Sequence, residues 1–185
     1  MNKNLNLPNL LTLSRIFVIP GIIGTFYLGE PLGNWIAVTL YFFAGITDFF
    51  DGYLARSQGL TSKLGAFLDP VADKLMVVSA IIMLVAFDKI EGIHILAAMI
   101  IMCREILVSG LREFLADLAI SVPVTKLAKW KTALQLIAIG ALLLGNASPD
   151  WLPANNIGFI CLWVSAILTV ITGYDYLKTG LKHMD

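Results

Sequence analysis

Asp48, Asp51, Asp69 and Asp73 stand three or four residues apart in two pairs, inside stretches that are otherwise apolar. Such spacing puts each pair on one face of a helix. A charged side chain within a membrane span costs at least ~2.5–3.5 kcal/mol at the helix centre, so four carboxylates in neighbouring segments need a reason. Asp51 and Asp69 lie about five residues either side of the connection 57–64, hence about 7–8 Å deep at ~1.5 Å per residue. Two antiparallel helices joined there would bring the four acids to similar depth, where they repel one another unless a cation sits among them. Carboxylate oxygens suit hard divalent ions such as Mg²⁺, Mn²⁺ or Ca²⁺. Two such ions bridged by shared aspartates are a common arrangement for phosphoryl chemistry. Charge alone leaves two competing readings: a set of salt bridges with Lys74, Arg56 and Arg104, and a cation-transport pathway. Four acids at this spacing exceed what those bases neutralise.

Small residues lie among the acids. Gly52 follows Asp51, Ala55 is one turn further on, and Gly65 is one turn before Asp69. Small side chains on that face let a ligand or a neighbouring backbone come close. Arg56, at the end of the same face, suits bidentate contact with a phosphate.

The elements that must position these residues follow from composition. Of the 185 residues, 58% are hydrophobic and 14% charged, against ~25% charged in a typical soluble domain. That excludes a disordered tail, a disulfide-stapled miniprotein and most soluble enzymes. Cys103 and Cys161 sit in apolar runs without CxxC spacing, so no disulfide framework is expected. No cleaved signal peptide is indicated, His94 and His183 carry no metal-ligand spacing, and Trp163 is expected to serve packing. Six apolar segments approach the ~20 residues of a spanning helix. They run about 9–28, 35–56, 65–87, 92–113, 127–146 and 155–177. The expected architecture is an all-α, polytopic membrane protein of six transmembrane helices, residues 1–185 forming a single domain.

Orientation follows from the basic residues, which concentrate in cytoplasmic loops. With six spans, Lys3, Arg56, Lys63, Arg112, Lys126, Lys129, Lys131, Lys178 and Lys182 lie at or near the face carrying the termini. Only Lys89 falls at the other face, while Arg15, Lys74 and Arg104 lie within spans. Both termini are therefore expected to be cytoplasmic.

The stretch Asp48-Phe-Phe-Asp51-Gly52-Tyr-Leu-Ala55-Arg56, then Gly65, Asp69 and Asp73, fits D-x2-D-G-x2-A-R-x8-G-x3-D-x3-D at every fixed position. This resembles the signature of the CDP-alcohol phosphotransferase family. Asn9, Thr12 and Arg15, the run Arg104–Arg112 and Lys129-Trp130-Lys131-Thr132 are similar to one bacterial branch of it, and the likeness spans nearly the whole chain. Ala128 stands where relatives commonly have glycine.

The resemblance implies transfer of a phosphatidyl group from CDP-diacylglycerol to an alcohol, with release of CMP. It also implies that Asp48, Asp51, Asp69 and Asp73 hold two divalent ions, Mg²⁺ or Mn²⁺, and that Asp73 takes the acceptor's proton. Thr12, Gly52, Ala55, Arg56 and Gly65 would shape the cytidine-diphosphate pocket. A homodimer in the bacterial inner membrane is implied, with its site open to the cytosol. Nucleic acid is not expected as a partner. The branch implies glycerol 3-phosphate as acceptor; inositol phosphate, serine or phosphatidylglycerol are the same-family alternatives. Glycerol 3-phosphate is a dianion and needs fixed cations. Arg104 and Arg112 are about 80° apart around a helix, and Lys129 and Lys131 begin the fifth segment. Together these four form an expected phosphate clamp.

Overall fold

The computed structural model describes residues 7–58, 63–117 and 126–181, with the side chains of residues 7, 8, 48–58, 63, 64, 66, 117, 126, 175 and 179–181 outside that description. Among the described residues the chain is all-helical. The helices are α1 (Leu7–Thr25), α2 (Leu32–Gln58), α3 (Lys63–Ala86), α4 (His94–Asp117), α5 (Lys126–Leu144) and α6 (Ala154–Leu181), with a short 3-10 turn at Gly145–Ala147. Each overlaps one expected apolar segment, and the ends differ by a few residues.

Among the described residues three stretches are long and apolar enough to cross a membrane: His94–Ala116, Leu127–Ala147 and Ala154–Lys178. Asn9–Thr25 and Leu32–Thr47 are shorter apolar helices. The division has a simple cause. The apolar run of α2 stops one residue before Asp48, and the first half of α3 carries Asp69, Asp73 and Lys74. The outer surface is as apolar as the interior: Phe17, Phe43, Phe67, Ile106 and Ile160 are each more than half exposed. A water-facing surface of that kind would be a liability; against lipid it costs nothing.

Packing order explains where space is left. α1 lies along both α2 and α3, α2 along α5, α5 along α6 and α6 along α4, whereas α3 meets α4 and α5 only lightly. Among the described residues α2 and α3 are linked through α1 and not directly. The core gathers Ile19, Ile22, Tyr41, Leu84, Ile101, Leu142 and Leu162, interleaved with alanines such as Ala37, Ala80, Ala97 and Ala138. Small side chains let helix backbones approach closely, the main attractive option where lipid is as apolar as leucine. A separate small cluster, Val108, Leu111, Leu115 and Tyr176, ties α4 to α6 at the end where α1 begins and α6 finishes.

The opposite end is closed by polar contacts between connections. Lys89 Nζ donates to Glu30 Oε1 at 2.8 Å and to Asn34 Oδ1 at 2.9 Å. Asn34 Nδ2 donates to Glu30 Oε1 and to the Leu144 carbonyl, both at 3.0 Å. Gly145, at φ 51°, turns the chain sharply just after that carbonyl, a conformation glycine adopts without strain. Nearby, His94 stacks on Phe159 with ring centroids 4.0 Å apart and accepts the Trp163 indole N–H at 3.0 Å. The sequence alone gave these two residues no joint role.

Candidate active site

α1 carries a polar stripe at every third residue: Asn9, Thr12 and Arg15, all buried, continued by Ile19, Ile22 and Thr25. Spacing of three keeps them on one side of the helix, the side that meets α3. Thr12 Oγ1 donates to Asp69 Oδ1. Arg15 Nη1 donates to Asp73 Oδ1, and Arg15 Nη2 lies 3.5 Å from Asp69 Oδ1. The Arg15 side chain is 1% exposed, whereas those of Asp69 and Asp73 are 44% and 46% exposed. A buried guanidinium is tolerable only when paired; here it anchors two carboxylates that lean outward from the bundle.

Asp69 and Asp73 are one turn apart on α3, with Pro70 between them. Proline has no backbone N–H, so α3 loses one helical hydrogen bond at the level of the acids. Gly65, a turn before Asp69, is buried. Asp48, Asp51, Gly52, Ala55 and Arg56 fall in the last half of α2, but their side chains lie outside the described residues, so the four-carboxylate cluster is half visible. Among the described residues no group of three or more His, Cys, Asp or Glu gathers. The donor chemistry that is present, two half-exposed carboxylates one turn apart beside a hydroxyl, fits a hard divalent ion.

The light contact of α3 with α4 and α5 leaves a cavity of about 470 Å³. Asp73 and Lys74 border it from α3, Arg104 and Arg112 from α4, and Lys131 from α5. Three of the four basic residues expected to hold an acceptor phosphate therefore face one space with Asp73. Lys129 is exposed and is not among the lining residues. Lys74, a candidate salt-bridge partner for the aspartates on charge alone, instead donates to Ser109 Oγ across the cavity. For Asp69 and Asp73, Arg15 takes the role that Lys74 and Arg104 were considered for, while Arg56 lies outside the described side chains. The signal for Arg15 was present as the period-three stripe on the first helix.

Glu105 organises the cations. It accepts from Lys131 Nζ and, at 3.3 Å, from Arg104 Nη1. Arg104 Nη2 donates to Thr172 Oγ1 on α6 at 2.9 Å. A Cβ at Gly173 would lie 3.2 Å from Arg104 Cγ and 3.5 Å from its Nε, so the missing side chain makes room for the arginine stem. Glu105 was foreseeable as the neighbour of Arg104; its hold on Lys131, and the seat provided by Thr172 and Gly173, arise from helices far apart in sequence.

With this geometry in place, comparison with known proteins assigns the class. A family model for CDP-alcohol phosphatidyltransferases matches residues 5–171. The chain belongs to that family. Among its relatives, a Rickettsia bellii protein is 49% identical over 178 residues, covering 96% of this chain and 97% of its own. One from Rickettsia felis is 47% identical over 183 residues, covering 99% of each, and one from Cereibacter sphaeroides is 38% identical, covering 98% of each. All three are named CDP-diacylglycerol–glycerol-3-phosphate 3-phosphatidyltransferase.

Proposed function

We propose that this chain transfers the phosphatidyl group of CDP-diacylglycerol to glycerol 3-phosphate, giving phosphatidylglycerol phosphate and CMP. The observation that carries the reading is the shared cavity: a half-exposed carboxylate, Asp73, opens into the same space as Arg104, Arg112 and Lys131. A base beside a set of anion-binding cations is what a phosphorylated alcohol needs in order to attack. The names of the relatives support the same donor and acceptor.

In the proposed mechanism Arg104 and Arg112 grip the acceptor phosphate with planar, bidentate geometry, and Lys131 adds a point charge. This holds the acceptor's primary hydroxyl toward the donor phosphorus. Asp73 accepts the hydroxyl proton as the new oxygen–phosphorus bond forms and the bond to CMP breaks. Thr12 and Arg15 fix the orientations of Asp69 and Asp73 throughout. Asp48, Asp51, Asp69 and Asp73 are the residues that would hold two Mg²⁺ or Mn²⁺ ions, which when bound neutralise the donor pyrophosphate and the departing CMP. Thr12, Gly52, Ala55, Arg56 and Gly65 are the proposed wall of the cytidine-diphosphate pocket, and Lys129 the outermost cation toward the acceptor.

Residues 1–185 work as one domain in this reading, with all six helices as spans in a bacterial inner membrane. Both termini face the cytosol, on the distribution of lysine and arginine. The homodimer belongs to the same proposal. Purified full-length protein given CDP-diacylglycerol and a panel of acceptors should release CMP with glycerol 3-phosphate, and EDTA should stop it until Mg²⁺ or Mn²⁺ is restored. Turnover with serine or inositol phosphate but not glycerol 3-phosphate would refute the acceptor. Undiminished turnover after exhaustive chelation would refute the metal quartet.

A further inference from the structure

Gln135 lies one turn beyond Lys131 on α5, therefore on the same face, and borders the same cavity. It is only 5% exposed. Its Oε1 is buried and, among the described residues, has no hydrogen-bond partner. A buried carbonyl oxygen left unbonded carries its full desolvation penalty, and such groups in a folded protein call for an explanation. Thr169 Oγ1 and Arg104 Nε share this condition. Thr169 does not border the cavity, and Arg104, whose Nη groups pair with Glu105 and Thr172, is a cation already assigned to the acceptor phosphate in the proposed function. Gln135 is the uncharged group at this place.

We infer that Gln135 is the specificity-determining residue for the acceptor, its side-chain amide hydrogen-bonding the hydroxyl adjacent to the attacking one. The inference rests on the acceptor reading of the cavity. An amide oxygen only accepts, and a phosphate dianion offers it no proton. A hydroxyl both donates and accepts, so it pairs with the amide whichever way its oxygen and nitrogen are turned. In glycerol 3-phosphate the middle hydroxyl stands between the phosphate and the attacking primary hydroxyl. A group on α5 one turn from a phosphate-binding lysine, on the same face, lies at the corresponding position along the substrate. Acceptors without that hydroxyl would leave Gln135 buried and unpaired, and would be discriminated against for that reason.

The test compares glycerol 3-phosphate with 3-hydroxypropyl phosphate, which keeps the attacking hydroxyl and the phosphate but lacks the middle hydroxyl. Wild-type, full-length protein should favour glycerol 3-phosphate roughly 10- to 100-fold in kcat/KM. Gln135→Leu should lose activity toward glycerol 3-phosphate while retaining that toward the deoxy acceptor, so that the preference collapses toward unity. Equal loss on both acceptors would make Gln135 structural and overturn the inference while leaving the proposed function intact. Absence of a preference in the wild type would overturn it without any variant, which covers the case of a Gln135→Leu protein that fails to fold. No CMP release with either acceptor, but release with serine or inositol phosphate, would overturn both readings together.

Discussion

At the loop end of the bundle, Glu30, Asn34 and Lys89 bond to one another and to the Leu144 carbonyl, beside a cavity of about 240 Å³. At the other end, Arg104, Glu105 and Lys131 are also paired, yet the cavity they border is about twice as large and, among the described residues, Gln135 Oε1 and Arg104 Nε have no partner. Both ends hold charge against apolar helices. The difference lies in what is left over. The first cluster completes its own bonds and draws three connections together; the second keeps capacity for something that is not protein. Unspent hydrogen-bonding capacity, more than charge itself, separates a site from a clamp.

That contrast can be broken by substitution, and the largest effect should come from Asp73. Asp73→Asn keeps the shape of the side chain but cannot take a proton, and should lower CMP release about 10²–10⁴-fold, while binding of CDP-diacylglycerol, followed by titration, persists. Retention of near wild-type turnover would remove Asp73 from the base role. A smaller change is expected from Gly173→Ala, whose new methyl presses on the Arg104 stem. The apparent KM for glycerol 3-phosphate should rise several-fold with that for CDP-diacylglycerol unchanged; an equal rise in both would mean the helix packing, not the arginine, was disturbed.

The smallest effect belongs to the clamp. Hydrogen bonds from Lys89 and then Asn34 hold the Glu30 carboxyl below its ordinary value of 4.5. A depressed carboxylate contributes stability that is present above that ordinary value and is lost as the pH falls through the lower folded value. The side chain is half exposed, so solvent screening keeps the contribution to roughly 1 kcal/mol or less. Glu30→Gln should therefore lower the melting temperature slightly at neutral pH, converge with the wild type in acid, and leave turnover unchanged. A loss of turnover would show that the two ends are coupled.

Much of this was legible in the sequence. Six apolar runs became six helices because a run of that length has few other ways to satisfy its backbone. Asp69, Asp73 and Arg104 could be singled out because a charge within an apolar stretch is expensive enough to need a cause, and Arg112 and Lys131 because a dianionic acceptor needs fixed cations. What spacing could not supply was pairing across helices. Nothing local to Arg15 states that α1 would lie against α3, and nothing near Arg104 states that Thr172 and Gly173 would receive it. Gln135 escaped notice for a different reason: one uncharged amide in an apolar helix is cheap enough to be ordinary, and only its buried, unbonded oxygen marks it out. The expected hairpin of α2 on α3 turns on residues 48–62, whose side chains lie outside the described residues; what the described residues add is α1 packed along both helices.

The grip of α6 on Arg104 bears on how the protein is made. A ribosome has delivered both aspartates of α3 and every cation bordering the cavity well before it reaches Thr172 and Gly173. Until α6 packs against α4, the arginine has no seat, and a chain released before it would carry the acids without a finished cradle for the phosphate proposed to bind there. On the proposed reading, competence for transfer thus waits on α6, which guards the bilayer against half-built copies.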